Sequence, residues 1–266
     1  MIRLVFLLFF IIILDCLNIF PQSTVLRVAH FNMGQLSMGK MSHTMITKSE
    51  RSEKATAFNN LIKKIGADIF CFCEYAPYFS LQSDGTEDKQ DLTRHIVFGD
   101  YVYFEYNERS YKNCNGMASM MIPFQNVTTV DYSKWEGKRN YIVSDIIYNK
   151  ENIKIVETHL DTNKYPHKRD RQIIELIESF KDEEYVIICG DFNILDVKMY
   201  NLFTNEGFSM ANHGIFGDLI TYLSNKNSGW MLDNIIYKGF ELLGVQVYNT
   251  HLSDHFAISC DLKIKK

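Results

Sequence analysis

The stretch that most limits the fold of this chain is an apolar run that ends in a polar turn. Tyr185–Cys189 is rich in β-branched residues and predicts a strand buried on both faces. Gly190 ends the run, and Asp191 and Asn193 follow at a spacing of two. Residues two apart in an extended segment point the same way, so a carboxylate and a carboxamide should share the carboxyl end of a central strand, where α/β sheets bind ligands. The alternative is that these two residues only cap a helix beginning near Leu195.

Apolar runs that end in polar residues recur along the chain. The pattern predicts strands over 25–32, 68–73, 101–106, 117–122, 141–148, 153–158, 230–237 and 256–262. Helical spacing of apolar residues predicts amphipathic helices over 58–65, 173–180 and 195–205. The sequence has no Pro/Gly/Ser-rich linker and no internal repeat. These features favour one strand-rich α/β domain of two packed sheets with helices outside.

Composition restricts the function classes. The chain has 266 residues, of which 46% are hydrophobic, so it can bury a sizeable core. Its formal charge is −4, whereas a dedicated nucleic-acid-binding module usually carries an excess of positive charge. The acidic balance counts less against a nuclease, because bound metal ions can supply positive charge locally.

The amino-terminal residues are typical of a secretory signal peptide. Arg3 precedes an unbroken apolar run over 4–14, which is shorter than the about 20 residues needed to span a bilayer. We expect residues 1–23 to be removed and 24–266 to form the mature domain. The protein would then be secreted or periplasmic, without integral membrane association. An uncleaved anchor is the alternative.

The cysteines and the isolated histidines carry no metal-binding motif. Cys71, Cys73, Cys189 and Cys260 lie inside apolar runs, where free cysteine behaves as a small hydrophobe, so we expect them to be buried and not metal-bound. Pairing between neighbouring strands stays open. His30, like the other histidines outside motifs, is expected to be structural.

The polar residues that end the strands share one kind of chemistry. They are Asn32, Glu74, His159, Asp191, Asn193, Asp254 and His255, with Asp233 inside a strand. Oxygen donors without thiolates favour a hard cation such as Mg²⁺, Mn²⁺ or Ca²⁺. Two histidines with carboxylate partners suit proton transfer or stabilisation of developing charge. Each residue alone has a structural explanation, but the whole set indicates a catalytic site.

These motifs, in this order, resemble the endonuclease/exonuclease/phosphatase superfamily. They are Phe31-Asn32, Glu74 after a buried strand, Thr158-His159-Leu160, Gly190-Asp191-Phe192-Asn193, Leu232-Asp233-Asn234-Ile235 and Ser253-Asp254-His255. The resemblance extends over nearly the whole expected mature chain. It implies a four-layer α/β sandwich, in which two mixed β-sheets pack face to face, helices cover the outside and the site lies at one edge.

Three details concern the branch of the superfamily. His159 stands where the abasic-site endonucleases carry Asn, and the segment around Glu105 looks like that of pancreatic-type deoxyribonucleases. Arg139 falls where the pancreatic-type deoxyribonucleases place a phosphate-contacting arginine. One departure weakens DNA as the substrate, because Tyr75 follows Glu74 where the branch has a DNA-contacting arginine.

The resemblance also implies a role for each site residue. Glu74 and Asp254 would hold the metal, with Asn32 and Asp191 close by. Asn193 and Arg139 would bind the phosphoryl oxygens. His255, oriented by Asp233, would activate water or stabilise charge, and His159, oriented by Glu105, would protonate the leaving oxygen. An alternative assignment makes Asp191 the base.

The sequence therefore predicts a secreted, monomeric, divalent-metal-dependent phosphodiester hydrolase that works by in-line attack of activated water. Nucleic acid is the first expectation for the substrate. A lipid head-group phosphodiester, as in sphingomyelinases, and a sugar or inositol phosphate are the alternatives. The rival from another class is a catalytically inactive binding protein on the same fold.

Overall fold

The structure, a computed structural model, describes residues 24–34, 48–75, 96, 98–106, 114–133, 139–223 and 228–265. For residues 48–52 and 104–106 only the backbone is described. The expected signal peptide lies outside these ranges, so export stays a prediction. Within them, every helix is too short or too polar to cross a membrane.

The described ranges contain the following helices and strands. The strands are β1 (Leu26–Asn32), β2 (Ile69–Tyr75), β3 (Tyr101–Tyr106), β4 (Cys114–Ser119), β5 (Gln125–Asp131), β6 (Asn140–Tyr148), β7 (Glu151–His159), β8 (Val186–Asp191), β9 (Ser209–Met210), β10 (Tyr222–Leu223), β11 (Gly229–Trp230), β12 (Asp233–Lys238), β13 (Phe240–Tyr248) and β14 (Ala257–Ile264). The helices are α1 (Lys48–Ile65), α2 (Pro166–Phe180) and α3 (Asn201–Asn205), and a 3-10 helix spans Val197–Tyr200.

The strands form two mixed six-stranded sheets and one hairpin. The first sheet has the order β13-β14-β1-β2-β4-β3, and the second has the order β5-β6-β7-β8-β12-β9. One parallel pair lies in each sheet, β1 with β2 and β7 with β8, and their other pairings are antiparallel. Strands β10 and β11 form the separate hairpin. Two mixed sheets with helices outside confirm the predicted fold class.

Alternation along each strand builds the four layers. On one face of β1, Phe31 packs with Phe58 of α1, and on the other face Val28 joins the core between the sheets. Helix α2 covers the second sheet, because its buried Ile173 belongs to the same cluster as Val186 of β8. The order of layers is therefore α1, first sheet, second sheet and α2.

The core between the sheets changes from apolar to polar along the strands. The residues that face it are, in order, Val28, His30 and Asn32 on β1; Ile155, Glu157 and His159 on β7; and Ile187, Cys189 and Asp191 on β8. All of these side chains are buried. The polar groups of β1, β7 and β8 thus collect between the sheets at the edge where these strands end.

Two predictions about local structure were wrong. The strand predicted over 230–237 is divided between β11 and β12, because the Thr221 hydroxyl accepts hydrogen bonds from the backbone N–H groups of Leu232 and Asp233 at 3.1 and 2.9 Å before β12 begins. The helix predicted over 195–205 is a 3-10 turn followed by the short α3. Its amino-terminal cap is Asp196, so Asp191 and Asn193 are not caps.

All five described cysteines are buried and free, namely Cys71, Cys73, Cys114, Cys189 and Cys260. The expected burial is confirmed. Cys189 and Cys260 belong to the apolar core between the sheets, where burial raises the pKa of both thiols well above the ordinary value. These two thiols are therefore uncharged at neutral pH.

Gly190 is required by the close approach of β7 to β8. A Cβ atom at this position would lie 2.4 Å from the backbone oxygen of Thr158, whereas a Cβ at Gly244 in β13 would meet nothing within 4 Å. We predict that Gly190→Ala lowers the free energy of unfolding by about 1–3 kcal/mol, because the parallel pair must separate. Gly244→Ala is the control and should change it by less than about 0.5 kcal/mol. Urea denaturation measures both, and equal effects would contradict this packing argument.

Candidate active site

The register of three neighbouring strands places the central residues of the candidate site. His159 of β7 pairs with Asp191 of β8, and Asp191 pairs with Asp233 of β12. Strand β1 of the other sheet brings Asn32 against the same carboxylate, and His255 comes from the turn before β14. Residues far apart in the sequence therefore meet where the two sheets face each other.

Asp191 is the centre of this group. Its Oδ2 atom accepts a hydrogen bond of 3.0 Å from Asn32 Nδ2, and its Oδ1 atom accepts one of 3.0 Å from the backbone N–H of Asn193. The Nε2 atoms of His159 and His255 lie 3.6 and 3.8 Å from Oδ2. Burial, together with the charge of Asp233, raises the pKa of Asp191 to about 6. Asp191 is thus ionised at neutral pH and still able to accept a proton.

Asp233 and His255 form a buried ion pair. The Oδ2 atom of Asp233 lies 2.8 Å from His255 Nδ1. Burial alone would lower the pKa of His255, but the carboxylates of Asp233 and Asp191 outweigh it and raise the pKa to about 10. The histidine in turn overcomes the effect of burial on Asp233 and lowers its pKa to about 2. His255 is therefore an imidazolium at neutral pH, and the Tyr222 ring packs against it at 4.8 Å between ring centres.

His159 has a different environment. Its Nε2 atom lies 3.6 Å from Asp191 and 3.8 Å from Glu74 Oε1, and its buried Nδ1 atom has no hydrogen-bond partner within the described ranges. Burial, reinforced by the positive charges of Arg139 and His255, lowers the pKa of His159 well below its ordinary value. The side chain of Glu105, its expected partner, lies outside the described part of the chain, and its backbone pairs with Asn115 in β3 and β4.

The three expected metal ligands lie at this edge. Asn32 is buried against Asp191, Glu74 is partly exposed beside His159, and Asp254 is exposed. Gly34, just after β1, lies against the turn that carries Asp254, since a Cβ there would be 3.1 Å from Asp254 Oδ1. Burial raises the pKa of Glu74, and the nearby Asp254 raises it further. The negative charge here is thus incompletely balanced by the protein.

The two expected phosphate-binding residues are only partly free for that role. Asn193 is in the left-handed region with φ of 52°, and its Nδ2 atom donates a hydrogen bond of 3.1 Å to the Leu160 carbonyl. An amide nitrogen carries two N–H groups, so this bond uses only one of its two donors. Arg139 is half-buried before β6, close enough for its charge to act on Glu74 and His159.

Arg169 was not predicted from the sequence, although it contacts the backbone of Asn193. This buried arginine of α2 donates a hydrogen bond of 2.7 Å to the Asn193 carbonyl and another to Asn163 Oδ1. An arginine in an amphipathic helix usually faces solvent, so no signal in the sequence marks it. It fixes the turn that follows β8.

The donor set at this edge fits a divalent cation. Within the described ranges, Asp191, Asp233 and His255 form one group whose ligand atoms lie within 4.8 Å of one another, and His30, Cys73 and Glu157 form a second. In the first group His255 already binds Asp233, which leaves Asp191 and the neighbouring Glu74 as the oxygen donors with raised pKa values. A hard cation would offset the charge of both.

Comparison with known proteins gives a family and a fold. Residues 31–255 match the sequence model of the Endonuclease/Exonuclease/phosphatase family. No curated protein sequence matches the chain. Among solved structures, a humanized D. rerio TDP2 carrying 14 mutations has a TM-score of 0.68 and 13% identity, covering 91% of this chain and 100% of that one.

Two further structures share the fold. The human Nocturnin catalytic domain with bound sulfate anion has a TM-score of 0.68 and 17% identity, covering 91% of this chain and 95% of that one. D. rerio TDP2 complexed with single strand DNA product has a TM-score of 0.64 and 12% identity, covering 90% and 99%.

The Asp233–His255 pair makes stability depend on pH. An unfolded histidine loses its proton near pH 6.5, whereas His255 keeps it up to about pH 10, so the free energy of unfolding should fall as the pH rises through this window. The slope is at most about 1.4 kcal/mol per pH unit for one such group. We predict that Asp233→Asn flattens the fall between about pH 7 and 9.5, the part of the window accessible to urea denaturation.

Asp218→Asn is the control for this measurement. Asp218 pairs with His213 at 2.5 Å, but the aspartate is exposed, and solvent screens such a pair. The slope in this variant should match that of the wild type. An unchanged slope in Asp233→Asn would show that the buried pair does not hold the proton on His255.

Proposed function

This chain belongs to the Endonuclease/Exonuclease/phosphatase family of phosphoesterase hydrolases, and we propose that it hydrolyses phosphodiesters with the help of a divalent metal ion. The observation that carries the proposal is the position of Asp191. Its carboxylate is buried between two histidines and has a pKa of about 6. A base of this strength suits the activation of water near neutral pH.

The proposed metal would be held by Glu74 and Asp254, with Asn32 and Asp191 close by. Oxygen ligands favour Mg²⁺, Mn²⁺ or Ca²⁺ over softer ions. When bound, such an ion polarises a phosphoryl oxygen and offsets charge in the transition state. The raised pKa of Glu74 supports this assignment, because a cation would stabilise its ionised form.

Of the two bases considered from the sequence, Asp191 is the better supported. With a pKa of about 10, His255 carries protons on both ring nitrogens at neutral pH, so it has no lone pair for a water proton. Asp191 takes the proton from the attacking water, and His255 stabilises the negative charge on the phosphoryl oxygens. Asp233 orients His255 for this role through the 2.8 Å contact.

His159 is proposed as the acid for the leaving oxygen, and this role needs a partner. The imidazole of His159 is neutral in its present surroundings, since its pKa is lowered by burial and by nearby positive charge. A carboxylate at Nδ1, an atom that has no hydrogen-bond partner within the described part of the chain, would raise the pKa and fix the tautomer. Glu105 is the residue proposed to provide it.

Nucleic acid is the substrate we propose first. A TDP2 with the same fold has been solved with a single strand DNA product. Asn193 and Arg139 would contact the phosphate. Tyr75 argues against the pancreatic type of DNA contact, because its buried ring packs edge-on against Phe72 and Phe98 at 5.5 and 5.3 Å and does not face solvent.

A lipid head-group phosphodiester is the second candidate, favoured by exposed apolar side chains beside the site. The backbone of Tyr222 pairs with that of His255 in an isolated antiparallel β-bridge. The backbone N–H of Leu223 donates a hydrogen bond of 3.1 Å to the Asp254 carbonyl. Leu223 and its hairpin neighbour Trp230 are about two-fifths exposed, at 42% and 40%. An apolar rim of this kind would suit a substrate that carries acyl chains.

The experiment is a substrate panel with and without chelator. We expect hydrolysis of bis-p-nitrophenyl phosphate, and of one of plasmid DNA, single-stranded DNA, RNA, sphingomyelin vesicles or inositol phosphates. EDTA should abolish it, and Mg²⁺, Mn²⁺ or Ca²⁺ should restore it. Full activity in rigorously metal-free buffer would overturn the metal requirement. Binding without hydrolysis across the panel would favour the inactive binding protein.

A further inference from the structure

A second layer of polar side chains lies between the sheets, next to the candidate active site and deeper in the core. It consists of His30, Cys73, Glu157 and Asp233, all of them 0% exposed. Each precedes a site residue by one or two positions or, for Asp233, belongs to the site itself. Alternation along the strands places His30 below Asn32 and Glu157 below His159.

His30 connects the members of this layer. Its Nδ1 atom lies 3.2 Å from Glu157 Oε2, and its Nε2 atom lies 3.2 Å from Asp233 Oδ1. The Cys73 sulfur is 4.0 Å from the same Nε2 atom. The imidazole therefore joins the first sheet to two strands of the second, with one ring nitrogen facing each carboxylate.

Charge balance explains why a histidine occupies this place. Two carboxylates buried without a counter-charge would be costly. His30 is the basic side chain that contacts both of them, with Nδ1 3.2 Å from Glu157 Oε2 and Nε2 3.2 Å from Asp233 Oδ1. Within the described ranges, His30 Nε2 is the group that contacts Asp233 Oδ1, and no other hydrogen-bond partner of this oxygen lies there.

We propose that His30 is a positioning residue for the hydrolysis. It holds the Oδ1 atom of Asp233, so that the Oδ2 atom stays directed at His255 Nδ1. Asp233 is then held from both sides, by His30 Nε2 at 3.2 Å and by His255 Nδ1 at 2.8 Å. A carboxylate fixed at one oxygen alone can rotate about its Cβ–Cγ bond. Fixing both oxygens sets the orientation of the His255 ring, as outer partners do in other catalytic pairs. The proposal rests on the function proposed above.

Two substitutions at His30 distinguish the contact made by Nδ1 from the contact made by Nε2. The amide nitrogen of Gln can occupy the place of His Nε2 and donate to Asp233, whereas that of Asn can occupy the place of Nδ1 and donate to Glu157. Both variants are neutral, and each keeps one of the two contacts. We expect His30→Asn to lower kcat about 10–100-fold with little change in KM, and His30→Gln to lower it several-fold less.

Controls distinguish this role from a purely structural one. The melting temperatures of the two variants should fall by similar amounts, since each loses one buried contact, while their kcat values differ. His213→Asn, at a histidine outside the site, should leave kcat unchanged. In an Asp233→Asn background, His30→Asn should cause no further loss of kcat, because both changes act through His255.

The outcomes are distinct. Equal kcat in the Asn and Gln variants, or additive losses in the double variant, would overturn the positioning role while leaving the hydrolase intact. If the wild-type protein with Mg²⁺ or Mn²⁺ does not hydrolyse bis-p-nitrophenyl phosphate at all, the proposed function fails instead. Stoichiometric zinc bound to the purified protein and lost in His30→Asn would assign the cluster to metal binding and also overturn the proposal.

Discussion

The buried ion pair between Asp233 and His255 is the interaction on which the candidate site depends. The register of β8 and β12 sets Asp191 directly beside Asp233, so two carboxylates share a space from which water is largely excluded. Without the positive charge of His255 at 2.8 Å, one of them would have to be protonated. Removing one partner of such a buried pair typically costs about 3–5 kcal/mol. The same pair keeps His255 charged and leaves Asp191 with an intermediate pKa.

The fold provides this arrangement because the sandwich has one polar edge. Each central strand is apolar along most of its inner face and polar in its last inward positions, so the core stabilises the strands while the edge collects the reactive groups. Gly190 lets β7 and β8 approach closely enough for His159 and Asp191 to be neighbours. The positions of His159, Asp191 and Asp233 are therefore a consequence of strand register.

Much of this could be predicted from the sequence, since it depends on local patterns. Apolar runs and their polar ends predicted the central strands, and short motifs identified His159, Asp191, Asp233 and His255. Strands β5 and β13 were not predicted, because both expose many of their residues and lack a continuous apolar run. The contacts of His30 with Glu157 and Asp233, and the contact of Arg169 with Asn193, join residues more than twenty positions apart, so no motif could show them. The choice between Asp191 and His255 as the base depends on burial and charge, which the sequence does not contain.

We propose that Asp191 is the base of a metal-dependent phosphodiester hydrolysis. The most direct measurement compares kcat for bis-p-nitrophenyl phosphate in Asp191→Asn and in Asp196→Asn, at saturating Mg²⁺ or Mn²⁺. Asp196 is exposed and caps the 3-10 helix, a role that Asn fills equally well, so its variant should match the wild type. We predict that Asp191→Asn lowers kcat by about 10²–10⁴-fold while the protein stays folded. A folded Asp191→Asn protein that keeps the kcat of Asp196→Asn would show that Asp191 is not the base.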